Sequence, residues 1–155
     1  MFLGVSLPWG MAIRDEIESF LDEYQAALSA LDGERTAALW GTPGTIVSDD
    51  FTGSLPSRDQ MAQGLSQSHP FYQALGLARV GHTLLDCTEL TERIVRVRVR
   101  WHFFDTDDEL LTDSDYEYLL RRDDDGLHAY VAVAVDEAEK LARVAAEKGI
   151  QLPGM

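Results

Sequence analysis

Between Ile94 and Phe104 the chain reads Ile-Val-Arg-Val-Arg-Val-Arg-Trp-His-Phe-Phe, an alternation whose period fits a strand and not a helix. Side chains along a strand point to opposite faces in turn. Val95, Val97, Val99, Trp101 and Phe103 therefore share one face, while Arg96, Arg98, Arg100 and His102 share the other. Such a strand requires a sheet with one buried face and one solvated face, and the rest of the chain must supply its neighbours and its cover.

The neighbours follow from register. A two-residue loop at Thr91-Glu92 sets Leu84 beside Val99, His82 beside Trp101 and Val80 beside Phe103, so that apolar side chains meet. A loop over 106–109 pairs Phe104 with Leu111 and places Val99 beside Tyr116 and Val97 beside Tyr118. On the opposite face the same register brings Arg100 to Asp115 and Arg98 to Glu117, which reads as cross-strand ion pairing rather than an anion site. Asp123-Asp124-Asp125-Gly126 is a turn, and Leu127 to Val135 is the next strand. Thr45 to Ser48 reads as a further short strand.

The cover is helical. Ile13, Ile17, Phe20, Leu21, Tyr24, Leu28 and Leu31 recur at helical spacing, with acids on the other face. Asp32-Gly33 ends that helix and opens a shorter one expected to run through Trp40. Ser57 and Gln60 form a capping box before a third helix. His69-Pro70 is expected to break that helix, with Phe71 to Leu75 a short turn ended by Gly76. Asp136 and Glu137 read as the cap and N-terminal acid of a last helix stopped by Gly149. The fold class is α+β: a curved antiparallel sheet wrapped around three to four helices.

At 155 residues there is room for one domain, read here as 12–149, with a flexible leader over 1–11 and a tail over 150–155. Met11 is an alternative start. A net charge of −14 repels phosphate backbones and anionic membrane surfaces, so neither nucleic acid nor a membrane is an expected partner. The single cysteine, Cys87, permits no intrachain disulfide, and no signal peptide or spanning segment is read, which suggests the cytoplasm.

This order of elements, with the segments GTPGTIVSDDFTG, SRDQMAQGL, IVRVRVRWHFFD and SDYEYLLRRDDDGLHAYVAVAV, resembles the nuclear transport factor 2-like superfamily over residues 12–148. That cone-shaped fold includes SnoaL-like cyclases and ketosteroid isomerases. The resemblance implies a homodimer, here helped by a sheet face bearing His102, Phe104, Leu119 and Tyr130. It also implies an internal pocket. The ketosteroid-isomerase branch uses a tyrosine on the first helix and a carboxylate after the second, and Tyr24 and Asp50 fall in comparable elements. On that likeness Asp50 is the candidate acid/base and Tyr24 the donor to a developing enolate oxygen.

The residues themselves suggest a small-molecule pocket lined by Trp40, His82, Trp101, Tyr116 and Tyr118, mostly apolar with a few directed polar groups. Asp86 is expected on the same inner face as His82, and Cys87 on the opposite one. Four residues along a strand separate His82 from Asp86 by about 13 Å, so they form no catalytic dyad. The histidines show no zinc spacing, 105–110 lacks the glycine of a calcium loop, and no phosphate-cradling loop is present, so no metal or cofactor is expected. Three functions follow: a binder of an unknown small molecule, a cyclase, isomerase or dehydratase using Asp50, and a non-catalytic dimeric module with a filled cone.

Overall fold

Burial along the central strand follows its alternation. In a computed structural model that describes residues 6–151, with side chains from Ile13 onward, Val95, Val97, Val99, Trp101 and Phe103 are buried and the arginines between them reach solvent. The elements are α1 (Ser6–Ser29), α2 (Gly33–Ala37), β1 (Trp40–Val47), β2 (Thr52–Leu55), α3 (Arg58–Ser66), α4 (His69–Leu75), β3 (Arg79–Glu89), β4 (Ile94–Phe104), β5 (Leu110–Asp123), β6 (Gly126–Ala134) and α5 (Glu137–Lys148). One six-stranded sheet runs β2-β1-β6-β5-β4-β3. Its hairpins are antiparallel, but β1 lies parallel to β6, so the sheet is mixed.

The registers of β3 and β5 against β4 match those read from the sequence: Val80 with Phe103, His82 with Trp101, Leu84 with Val99, Val99 with Tyr116, and Val97 with Tyr118. Arg100 holds Asp115 through Nε to Oδ1 at 2.7 Å, and Arg98 reaches the same carboxylate at 3.3 Å. Three local differences matter. A bulge between Leu84 and Asp86 shifts the far end of β3 by one residue, pairing Asp86 with Arg98 and Cys87 with Val97. Asp86 therefore sits exposed on the outer face and Cys87 faces inward, the reverse of the expected order. A second irregularity pairs Phe104 with Leu110 instead of Leu111, because Asp105 Oδ1 caps a five-residue loop at Asp107 N and Glu109 N.

The third concerns β1. The second helix ends at Ala37, and Trp40 opens a strand rather than closing a helix. Between Trp40, beside Ala129, and Thr45, beside Val131, the strand bulges over a cis Thr42–Pro43 bond. Gly41 is needed there because the Tyr130 ring lies where a Cβ would project, 2.1 Å away. His69-Pro70 separates α3 from α4 but starts α4 instead of preceding it, since a proline in the first helical turn costs no hydrogen bond. α1 begins at Ser6, within the stretch expected as leader, while residues 1–5 and 152–155 of the expected leader and tail lie outside the described residues.

α1 lays Ile13, Ile17, Leu21 and Tyr24 across the inner face of the sheet, against Val97, Val99 and Trp101. Ser29 fixes its end by accepting from Val80 N at 2.9 Å. α4 and α5 meet through Phe71, Leu75, Val144 and Ala145 in a second small core. On the outer face Arg79 covers the Phe104 ring at 4.0 Å and Arg121 covers Tyr130 at 4.2 Å. No helix among the described residues is long and apolar enough to cross a membrane.

The two faces of β4 make opposite demands. Removing two methyl groups by Val97→Ala at a fully buried site should cost about 2 kcal/mol, whereas Arg96→Ala, half exposed, should cost under about 0.5 kcal/mol. Urea denaturation of both variants measures this, and the opposite ranking would place the arginine row inside.

Candidate functional site

Aromatic side chains from four elements, α1, β1, β4 and β5, converge where α1 crosses the sheet. Tyr24 stacks on Trp101 with ring centres 5.4 Å apart, and Tyr116 stacks on Tyr118 at 5.6 Å. Indole is a donor only, so a buried tryptophan needs an acceptor. Trp40 Nε1 donates to the Tyr24 hydroxyl at 2.9 Å, and Trp101 Nε1 donates to the Tyr118 hydroxyl at 2.9 Å. The Tyr24 and Tyr118 hydroxyls also interact with one another. Each of the two hydroxyls accepts from one indole, and a bond between them uses only one of their two protons, which leaves a phenol proton at the Tyr24–Tyr118 pair. Burial pushes the Tyr24 pKa up to about 12, so the phenol keeps its proton at every physiological pH.

These rings bound a hollow of about 240 Å³. Its apolar wall includes Leu28, Ile46, Leu65, Val80 and Phe103; Trp40, Tyr24, Trp101, Tyr116 and Tyr118 also line it. Five of the seven residues singled out in the sequence meet here. His82 does not: its ring stands edge-on to Trp101, with Nε2 2.8 Å from Glu18 Oε1 and Nδ1 2.6 Å from Gln25 Oε1, tying β3 to α1. Asp50 is also absent. Val47 pairs with Thr52 and Ser48 N donates to Phe51 O at 2.8 Å, so 48–51 make a tight turn that leaves Asp50 exposed outside the cavity lining.

The carboxyl that does face the hollow is Glu137, at the first position of α5. Tyr116 donates to its Oε1 at 2.7 Å and Tyr72, on α4, donates to its Oε2 at 3.0 Å. Burial raises its pKa above the ordinary 4.5; the two phenols oppose this and the neighbouring Asp136 adds to it. Asp136 does not cap α5 with its side chain. It accepts from Asp115 N at 2.8 Å and so anchors the start of α5 to β5, which sets Glu137 over Tyr116. Sequence reasoning missed Glu137 and Tyr72 because an acid in a first helical turn is ordinary, and nothing local says that this turn folds back over the sheet. Among the described residues no group of three or more histidine, cysteine or acidic side chains is arranged to hold a metal.

The profile of a family described as NTF2-like protein (DUF6841) matches residues 15–137. No curated protein matches the chain. Among solved structures, a Nostoc punctiforme domain of unknown function with a cystatin-like fold is similar at 16% identity and a TM-score of 0.64, over 90% of this chain and 88% of that one. A ketosteroid isomerase-like protein from Erwinia carotovora atroseptica is similar at 13% identity and 0.57, over 78% and 93%. A Catenulispora acidiphila protein solved in complex with S-DNPA is similar at 14% identity and 0.61, over 88% and 98%. These likenesses establish the cone fold.

Two carboxyls should titrate with opposite effects on stability. The folded state raises the Glu137 pKa, so the contribution of Glu137 to stability is full below pH 4.5 and is lost as pH rises through the raised value. Arg100 and Arg98 lower the Asp115 pKa, so its contribution is present above 3.8 and lost as pH falls. Urea midpoints from about pH 2 to 7 should therefore show Asp115→Asn falling behind the unmodified protein as pH rises toward 3.8, and Glu137→Gln gaining on it as pH rises above 4.5; an offset constant over the whole range would contradict the assignment of that carboxyl.

Proposed function

The chain belongs to this NTF2-like family, and from that fold and the geometry of its hollow we propose that it binds a small, largely apolar molecule carrying a hydrogen-bond acceptor such as a carbonyl oxygen. One observation carries the reading: a mostly apolar cavity lined by two buried phenols, Tyr24 and Tyr118, which hold one hydroxyl proton more than a bond between them uses. The apolar wall supplies affinity, and the phenol orients the ligand because a buried donor left unpaired costs free energy. The similar Catenulispora protein was solved in complex with S-DNPA, and ligand binding fits that company.

A second reading is proton transfer on the bound molecule. It is favoured by Glu137, a carboxyl on the wall of an apolar cavity whose pKa burial raises, so that it holds a proton to a higher pH than an ordinary glutamate. In this reading Glu137 replaces Asp50 as acid/base, with Tyr24 still donating to the oxygen on which charge develops. The likeness to a ketosteroid isomerase-like structure is in keeping with it. A filled, purely scaffolding cone receives no support from a cavity of this size. Pairing of two copies through the outer face of the sheet remains part of the proposal, and sedimentation at micromolar concentration reads it.

Trp101 stacks on Tyr24 and reports occupancy by its fluorescence, with Trp101→Phe as the control for the signal of Trp9 and Trp40. With acetophenone as the probe, Tyr24→Phe should weaken binding about five- to tenfold, the value of one net hydrogen bond. Equal affinity in the two proteins would remove Tyr24 from recognition, and no binding to either would count against the pocket.

A further inference from the structure

The carboxyl of Glu137 is a half-buried acid on the wall of a cavity, and no cation among the described residues pairs with it. Two phenols occupy one lone pair on each of its oxygens, and a carboxylate has room for about two more hydrogen bonds. The nearest ammonium by sequence, Lys140, is held by Asp113 and Asp136. We propose that the hollow takes a small organic cation, a primary or methylated amine, with Glu137 as its counter-ion and the surrounding rings as its cage. This rests on the proposed binding role of the hollow and names the class of ligand.

Three features of the site agree. Aromatic faces attract cations within about 6 Å, and Tyr72, Tyr116, Tyr118 and Phe103 all line the cavity wall shared with Glu137. The N-terminus of α5, a helix of 12 residues, favours the ionised carboxylate once a partner offsets its desolvation. A net charge of −14 raises the local concentration of cations and lowers that of anions. The titratable groups that face Glu137 do not compete for it. Tyr72 on α4 and Tyr116 and Tyr118 on β5 have pKa values pushed well above 10.0 by burial, and Tyr24 on α1 lies at about 12, so all four are neutral. His69 on α4, also on the wall, is pushed below 6.5 by burial and is uncharged at neutral pH. Asp136 is the other charge near it, and it is an acid.

A cation selects the carboxylate form. In the empty cavity Glu137 holds its proton to a higher pH than an ordinary glutamate, so an ammonium that binds the protonated form expels that proton to solvent and affinity rises with pH. The balance is simple: the amine arrives protonated, one carboxyl proton leaves, and no covalent bond to carbon changes.

Calorimetric titration with 2-phenylethylamine and its neutral isostere 2-phenylethanol tests the proposal. The amine should bind at least about tenfold more tightly than the alcohol at pH 7. Glu137→Gln should erase that preference while changing alcohol affinity less than about twofold. If the amine and the alcohol bind equally, or if Glu137→Gln leaves amine affinity intact, the counter-ion assignment is overturned although the hollow still binds. If neither probe binds, the binding reading fails and takes this one with it. Should Glu137→Gln not fold, titrations of the unmodified protein with the amine from about pH 4 to 8, each in two buffers of different ionisation enthalpy, decide. Net proton release that falls to zero as pH rises supports the proposal, and none at any pH overturns it.

Discussion

A strand that alternates valine with arginine can bury only one of its faces, because the guanidinium groups cannot leave water without partners. β4 buries the valines, and the rest of the molecule inherits that choice. α1 lies across them, α4 and α5 close the remaining inner surface, and the arginines form a ladder on the outside with Asp115 and Glu117. The same demand reaches the polar atoms that the inner face cannot avoid. Two indole N–H groups and the phenols around them lie in dry surroundings, so the phenols satisfy the indoles and one phenol proton is left over.

The residual phenol proton and the half-buried carboxyl give the hollow its two polar poles. They come from opposite ends of the chain, Tyr24 on the first helix and Glu137 on the last, and meet because both helices pack on the inner face. Each pole has a different kind of support. Tyr24 is held by Trp40 from β1 and by stacking on Trp101, while Glu137 is held by Tyr72 from α4, Tyr116 from β5 and the tether of Asp136 to β5. A ligand that reaches both offers a hydrogen-bond acceptor to the phenols and a donor, an ammonium in the proposed class, to the carboxyl.

How far the sequence revealed this varies with the physics of each element. Period-two patterning specifies which side chains share a face, and charge matching specifies register, so β4 with its two neighbours was legible residue by residue. A bulge inserts a residue without any compositional mark. The one at Leu85 exchanged the faces of Asp86 and Cys87, and the one after Trp40 hid a strand in what read as a helix end. The aromatic wall was legible because it lies on those well-specified strands. Glu137 was not, since its role depends on where α5 lands, a tertiary fact carried by one side chain-to-backbone bond from Asp136. Asp50 looked promising by its place in the order of elements, but the β1–β2 turn carries it away from the cavity.

A crystal structure of the protein at atomic resolution, purified from its host and grown without added ligand, reads the central claim most directly. The expected result is an open hollow between Tyr24, Trp101 and Glu137 that holds a non-protein molecule or ordered water touching the Tyr24 hydroxyl and the Glu137 carboxyl. A cone closed by its own side chains, with those two groups bonded only to protein, would contradict it.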